Sequence, residues 1–448
     1  MNRNQRRALA KSKDPESLVQ IADLHMRCGR LDKAEENNRQ AISLDPNCYV
    51  AHNNLGNILR HTGRIAEAVR HFSLAFRLNP NDAVVALNLA MGLGEQHRFG
   101  QAVPFFRQAI ALNPSNAEAR STIAFALTQL KEYDEAELQY LEALKLDPQH
   151  FGARICLGLA LADQGKIAQA FKQAEILAQS ENATGFPHKT FGILLARIGC
   201  ADRAKVCFEK HLSSHPGDAD EIAMLLATVG GPLPPRATDL QISQLYTSRA
   251  DEWDRGAAEP GGYQGHRLVA AALAVLNAQS ADTIVDAGCG TGLVGELLRP
   301  QVRLLIGVDM SEPMLAQARR KNVYDSLHRG DLVDYMINHP RSCDVVVSAA
   351  TIIHFGKLDT VFQAVALCLR PRGLFVFTVF PNDDDPSVVA IGTLNGLAEG
   401  GCFRHGSDYI VRTAAACGLT VELLSREFHE HARKSAVPCF VVALRLTN

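Results

Sequence analysis

The sequence carries no excess of charge of either sign. Its 46 lysines and arginines stand against 48 aspartates and glutamates, a formal net charge of −2. That balance builds no field for a polyanion, so charge alone points away from a nucleic-acid partner. No apolar run reaches the length of a membrane span. Residues 3–13 are basic but lack the apolar segment of a secretory signal. Cysteine is present as 11 residues, an odd number, without a single C-x-x-C pair. Free thiols in a reducing cytoplasm are the expectation, not a disulfide framework. These absences leave a cytoplasmic protein without membrane or nucleic-acid binding, and 448 residues suffice for two or three domains.

What is present starts with Asp286-Ala287-Gly288-Cys289-Gly290-Thr291-Gly292, which follows the apolar run Thr283-Ile284-Val285 and precedes a helical stretch from Leu293 to Leu298. A strand that ends in D-x-G-x-G-x-G and turns into a helix is a nucleoside-binding turn. Its glycines bend tightly and admit a ligand without a Cβ in the way, and the helix N-terminus offers free N–H groups. Asp286 is expected at the mouth of this turn. A carboxylate there disfavours a pyrophosphate and favours an ammonium group, which points to S-adenosylmethionine over a dinucleotide.

Downstream motifs extend the pattern. Asp309 stands 17 residues after Gly292, at the end of the apolar run Leu304-Leu305-Ile306-Gly307-Val308. An acid at the tip of the second strand can accept from both ribose hydroxyls. Met310-Ser311-Glu312-Pro313-Met314-Leu315 reads as a polar N-cap and a helix, with methionines suited to a flat adenine. Gly330-Asp331-Leu332 places a further acid where an adenine amino group could donate, with Asp334 near enough to compete. Cys343 to Ser348 reads as a fourth strand and Leu374 to Val379 as a fifth.

On these motifs, residues 240–448 resemble the class I S-adenosylmethionine-dependent methyltransferases. The lead-in from Leu245 to Asp254, the tail Ser425-Arg426-Glu427-Phe428 and the run Pro438 to Leu444 are similar to bacterial methyltransferases with tetratricopeptide repeats. The resemblance implies an α/β Rossmann-like sheet of seven strands whose last runs antiparallel. It also implies cofactor contacts at Asp286, Gly288, Gly290, Asp309, Met310, Asp331 and Leu332. Gly292 completes the turn and Ser348 ends the fourth strand, so both join the cofactor-binding set.

The first half repeats itself. Pro46, Pro80, Pro114 and Pro148 are each 34 residues apart, and Pro216 falls two periods further on, with Asn182 in the slot between. In units counted from residues 15, 49, 83, 117, 151 and 185, the twentieth position is alanine in all six: Ala34, Ala68, Ala102, Ala136, Ala170 and Ala204. Ala41, Ala75, Ala109 and Ala143 share the twenty-seventh, and Phe72, Phe106, Tyr140 and Phe208 the twenty-fourth. Gly56, Gly158 and Gly192 share the eighth. Small residues where helices cross and rings between units are the demands of stacked helical hairpins. The pattern is that of six tetratricopeptide repeats over 15–216, an all-α solenoid. Leu177 and His211 replace the small residue in the last two units, which predicts looser packing there. Residues 217–239 are read as a capping helix near 218–228 and a linker from Gly230 to Pro235.

A sulfonium-bound methyl group needs alignment and a dry pocket, and a base only where the acceptor arrives protonated. The stretch Ser348 to Phe355 lies at the fourth strand's end, and His354 is its candidate base; the alternative is a histidine that ties down backbone carbonyls. Tyr246, Trp253 and Tyr263 precede the first strand and are candidates to stack on substrate, with a core role the alternative. His429-Glu430-His431 offers only half of a metal site, so no metal is expected and a solvated strand end is the default. Asp383-Asp384-Asp385 reads as a solvent-facing loop that could border a cationic acceptor. Asn54 and Asn88 share the sixth position of neighbouring repeats and resemble an amide ladder that holds a peptide backbone. Three functions stay open: a methyltransferase whose repeats recruit a protein or carrier-bound substrate, a small-molecule methyltransferase with repeats used for assembly, and a non-catalytic scaffold that senses S-adenosylmethionine.

Overall fold

The computed structural model describes residues 14–447 except 240–241, 243–245, 247–249, 251–252, 260, 279–280, 392–401 and 433–434, with backbone alone for the rest of 431–435. The basic segment 3–13, Leu245, Thr247, Ser248, Arg249, Asp251 and Glu252 of the lead-in, and the His431 side chain lie outside the described residues. The chain divides into two compact units, Met1–Cys200 and Ala201–Asn448.

In the first unit the helices form hairpins. Pro15–Arg27 pairs with Leu31–Leu44, Tyr49–His61 with Ile65–Leu78, Ala83–Glu95 with Phe99–Leu112, Ala117–Gln129 with Tyr133–Leu146, and Phe151–Asp163 with Ile167–Ala178. His188–Arg197 follows. The helix Ala201–Ser214, expected as the second half of the sixth repeat, falls in the second unit.

The alanine register has a direct structural meaning. Ala34, Ala68, Ala102, Ala136, Ala170 and Ala204 each retain 0% exposure. Phe72, Phe106 and Tyr140 lie in one apolar cluster that runs from Leu55 to Ala170. Small residues let the helices approach, and the rings fill the space the approach leaves. Gly56 gives way to such a ring: a Cβ there would stand 2.5 Å from Phe72. Leu177, where looser packing was predicted, is only 1% exposed, so its larger side chain is accommodated in the core.

Two further features follow the period. Asp82, Asn116 and His150, each 34 residues apart, accept backbone N–H bonds as N-caps of the next helix. Gly29, Gly63, His97, Lys131, Gly165 and Gly199, also 34 apart, all turn the chain at positive φ between consecutive helices.

Among the described residues, the second unit is built on a nine-stranded sheet. Its strands are β1 (Thr283–Ala287), β2 (Leu304–Asp309), β3 (Ser326–Arg329), β4 (Cys343–Ser348), β5 (Leu369–Pro381), β6 (Val389–Ile391), β7 (Phe403–His405), β8 (Leu419–Ala432) and β9 (Ser435–Leu446). The order β3-β2-β1-β4-β5 is parallel throughout; β9 joins β5 antiparallel and β8 joins β9. Those seven strands match the sheet implied by the resemblance, with β9 as the reversed strand. Two more go beyond it. β5 runs 13 residues, long enough for its end to pair with β7, which in turn pairs with β6.

Every residue of β1 is buried, as a central parallel strand requires. Helix Gly265–Val275 packs Val269 and Leu273 on one face of the sheet, while Asp359–Cys368 packs Val361, Phe362 and Val365 on the other. The helix Ala219–Thr228, close to the expected cap, packs Met224 and Ala227 on Ile391 and Phe403. The segment expected to be a linker is bonded into this unit. Pro235 O accepts from Gly356 N and Lys357 N at 2.8 and 2.9 Å, and Ala237 N donates to His354 O at 2.9 Å.

Candidate active site

The carboxyl ends of β1, β2 and β4 open onto a cavity with about 860 Å³ of space, part of it continuous with solvent. Such crevices are where doubly wound sheets bind ligands. The turn after β1 forms its floor. Gly288, Gly290 and Gly292 have φ of 82°, 53° and 90°. A Cβ on Gly288 would overlap Thr351 Oγ1, while one on Gly290 would meet nothing within 4 Å. Gly288 is therefore required for space and Gly290 for its backbone conformation.

Asp309 staples that turn to β2. Its Oδ2 accepts from Gly290 N at 2.9 Å and its Oδ1 from Ser311 N at 2.8 Å. Burial pushes its acidity below that of an ordinary aspartate, and the bonds from Ser311 and Gly290 oppose that rise in pKa. Each oxygen keeps a second acceptor site, which suits it to a pair of hydroxyls. Met310, Gly330, Asp331 and Leu332 continue the wall beyond it. Asp331, rather than Asp334, is in the lining. Its Oδ1 caps the helix Leu332–Asn338 by accepting from Val333 N and Asp334 N at 2.8 and 3.1 Å.

Four expected site residues take other positions. Gly292 caps the helix Leu293–Leu298 beside the Tyr324 ring and is absent from the lining. Asp286 does not stand at the mouth of the turn but behind it, fully buried in β1. Tyr324 Oη donates to its Oδ2 at 2.6 Å, and Oδ1 has no hydrogen-bond partner among the described residues. Burial raises its pKa from 3.8 to about 7. Ser348 is also fully buried; its hydroxyl donates to Ala287 O at 2.7 Å, so it ties β4 to β1 and is absent from the cavity wall. His354 is buried behind the wall, with Nε2 2.9 Å from the Tyr246 hydroxyl. It reaches the cavity through that tyrosine.

The opposite wall is aromatic. Tyr246, Trp253 and Tyr263 all line the cavity, and Trp253 contacts both tyrosines at ring-centroid distances of 5.7 and 5.4 Å. Tyr263 is buried at 8% exposure, so the core and lining roles coincide in one residue. Asp254, beside Trp253, accepts from Thr291 Oγ1 at 2.5 Å and pairs with Lys321 at 2.6 Å, which fastens this short helix to the glycine turn.

Sequence reasoning missed Tyr324, His266 and Arg236. The Tyr324 ring lies against Gly292, Gly295 and Gly307, which make room for it. His266 lines the cavity with its Nδ1 unpartnered among the described residues, and burial lowers its pKa to about 4. Arg236 also lines the cavity, from a segment read only as a linker. None of the three carries a local motif that could have marked it.

His429 differs from expectation, whereas the acidic loop Asp383-Asp384-Asp385 faces solvent as expected. His429 is not solvated: it is 2% exposed, lies against the Tyr263 and Phe380 rings, and has no hydrogen-bond partner for either ring nitrogen among the described residues. In the acidic loop, Asp383 pairs with Arg426 and Asp384 with Arg404, so the loop's charge is largely met within the unit. In the repeats, Asn54 Nδ2 donates to Asp23 at 2.8 Å and Asn88 Nδ2 to Asn53 at 2.9 Å. Both amides are engaged with the preceding repeat, and Asn88 is buried.

Residues 285–377 match the methyltransferase domain family, and residues 15–48, 47–115, 94–141 and 126–184 match tetratricopeptide repeat families. The chain is 32% identical over 136 residues to a dTDP-3-amino-3,6-dideoxy-alpha-D-glucopyranose N,N-dimethyltransferase of Streptomyces fradiae, covering 29% of this chain and 53% of that protein. It is 29% identical over 185 residues to a malonyl-[acyl-carrier protein] O-methyltransferase of Yersinia pestis, covering 40% of this chain and 64% of the relative. A protein of the same description from Priestia megaterium is 33% identical over 129 residues, 28% of this chain and 42% of the relative. The chain thus spans about half the length of the relatives it matches. The protein carries a methyltransferase domain behind an array of tetratricopeptide repeats.

Proposed function

We propose that the protein transfers a methyl group from S-adenosylmethionine to a substrate presented on a protein or carrier, with the repeats recruiting that partner. The observation that carries this reading is one cavity that joins the glycine turn, the bridging carboxylate of Asp309 and an aromatic wall. The residues fit the cofactor: Asp309 keeps acceptor sites for ribose hydroxyls, Met310 and Leu332 offer apolar contact for a base, and Gly290 leaves open space beside the turn. When bound, the sulfonium supplies an electrophilic methyl carbon. The chain's own part is to orient the two reactants and keep out water, work that can supply several kcal/mol, on the order of 7–11 in favourable cases. Tyr246 and Trp253 cover the wall opposite the turn, and the Asp254 contacts hold Trp253 in place. Where the acceptor must lose a proton, the path runs to the Tyr246 hydroxyl and on to His354 Nε2.

Relatives described as acting on a malonyl group held by acyl-carrier protein support the carrier-bound choice. One observation favours a second reading. One Nδ2–H of Asn54 and one of Asn88 is bonded inside the array, which weighs against a ladder for a peptide backbone. That suits a small-molecule methyltransferase whose repeats serve assembly, in line with a relative named for a sugar nucleotide. A non-catalytic sensor is disfavoured because the turn and Asp309 are intact.

The test is transfer of radiolabelled methyl from S-adenosylmethionine into cell lysate, separated into protein and small-molecule fractions. Label in the protein fraction, lost in Asp309→Asn, is the expected result. Asparagine keeps the size but gives up one acceptor oxygen, which removes a ribose contact together with one of the bonds from Gly290 N and Ser311 N. Label confined to small molecules establishes the second reading, and binding of the cofactor without any transfer establishes the sensor.

A further inference from the structure

Arg236 lies before the sheet, in the proline-rich stretch Pro232-Leu233-Pro234-Pro235-Arg236, yet it reaches the nucleoside end of the cavity. Its Nη1 stands 2.8 Å from Asp331 Oδ2, and its guanidinium lies 5.1 Å from the centre of the Phe355 ring. A second nitrogen pairs with Asp239. The backbone is fixed as well: Arg236 forms a β-bridge with Phe355, flanked by the bonds of Pro235 and Ala237 to the 354–357 loop. Both the arginine and its aspartate are largely covered, with 29% and 13% of their side chains exposed.

The partner's inventory is short. Asp331 Oδ1 is filled by two backbone N–H groups, so any ligand donor must use Oδ2, which already accepts from Arg236 and has one lone pair left. A carboxylate in that position accepts and cannot donate. It suits the 6-amino group of adenine and opposes the oxygen of a 6-oxopurine. Without the guanidinium the carboxylate would be half-buried with no counter-charge, and water would take the vacated side.

We infer that Arg236 is a positioning residue that holds Asp331 Oδ2 for an exocyclic amino donor, so that the segment before the sheet helps set the cavity's preference for adenine. The inference rests on the nucleoside-binding reading above. The phenylalanine stack and the bridge fix the guanidinium, and the guanidinium fixes the carboxylate.

The test measures binding of S-adenosylhomocysteine and of S-inosylhomocysteine to the full-length chain, with Arg236→Gln and Arg236→Lys beside the unaltered protein. A hydrogen bond to a charged group corresponds to a preference of about 10- to 100-fold for the adenosyl ligand. Arg236→Gln is expected to shrink that preference to about threefold or less, and Arg236→Lys to keep most of it. If Arg236→Gln weakens both ligands equally, or changes neither, Arg236 is a packing residue and the inference fails. If the unaltered chain binds neither ligand, the nucleoside-binding reading itself fails and takes the inference with it.

Discussion

At the scale of single residues, Asp286 is a carboxyl enclosed in the central strand of the sheet. One of its oxygens is on Tyr324 and the other has no partner among the described residues, and burial lifts its pKa to about 7. Because the folded-state value lies above the ordinary 3.8, the fold binds the proton more tightly than the unfolded chain. The stabilising contribution is fully present below pH 3.8 and is lost as pH rises through about 7. At about 1.4 kcal/mol per pH unit, the full swing is on the order of 4 kcal/mol. Buried His266 and His429, whose pKa values fall to about 4, act in the opposite direction by losing stability on acidification from 6.5 downward. The contribution of Asp286 is therefore isolated by difference. Denaturant unfolding of the second unit should show Asp286→Asn gaining on the unaltered protein between pH 5 and 7.5; parallel stability curves would mean the carboxyl is not perturbed.

At the scale of elements, the repeats satisfy their turn geometry unevenly. Four of the six inter-helix turns place glycine at positive φ, but His97 and Lys131 hold φ of 57° and 64° there. A non-glycine residue in the left-handed region costs roughly 1–2 kcal/mol. Glycine gives back part of that through the freedom of the unfolded chain. His97→Gly and Lys131→Gly should each stabilise the array by roughly 0.5–1 kcal/mol, read as a higher midpoint of helix loss by circular dichroism. A lower midpoint would mean that these side chains make compensating contacts. The array was largely legible before any coordinates because its demands recur in register: Ala34 to Ala204 fill one repeated contact, and repetition makes a tertiary requirement visible in one dimension. The strand order after Asp286 was legible for a different reason, since each motif is contiguous. Other features depend on which way a side chain points. All five residues of β1 are buried, so no alternation marked Asp286 as standing behind the turn. Tyr324 comes to Asp286 from 38 residues away, and Arg236 to Asp331 from 95. Asn54 and Asn88 kept the predicted period but spend their amides on neighbours.

At the scale of the whole molecule, the two units have separate cores, one of stacked helices and one on each face of the sheet. A ligand at 100 times its dissociation constant adds about 2.7 kcal/mol to the state that binds it. Hydrogen exchange with saturating S-adenosylhomocysteine should therefore slow in β1, β2 and β4, with amides of the helices Pro15–Arg27 to Phe151–Asp163 as internal reference. Unchanged exchange in those three strands would remove the cofactor from the proposed cavity.

The capping residues of the array have a last consequence. Asp82 and Asn116 do the same work one period apart, each closing the start of the helix that follows it. A segment cut from 83 to 116 would remove Val84 and Val85, whose amides Asp82 now caps, and bring Asp82 to the head of Ala117–Gln129 in place of Asn116, facing the Ala119 amide that Asn116 serves. Length in this half of the chain can thus change by whole repeats, because each one carries its own cap for the helix that follows.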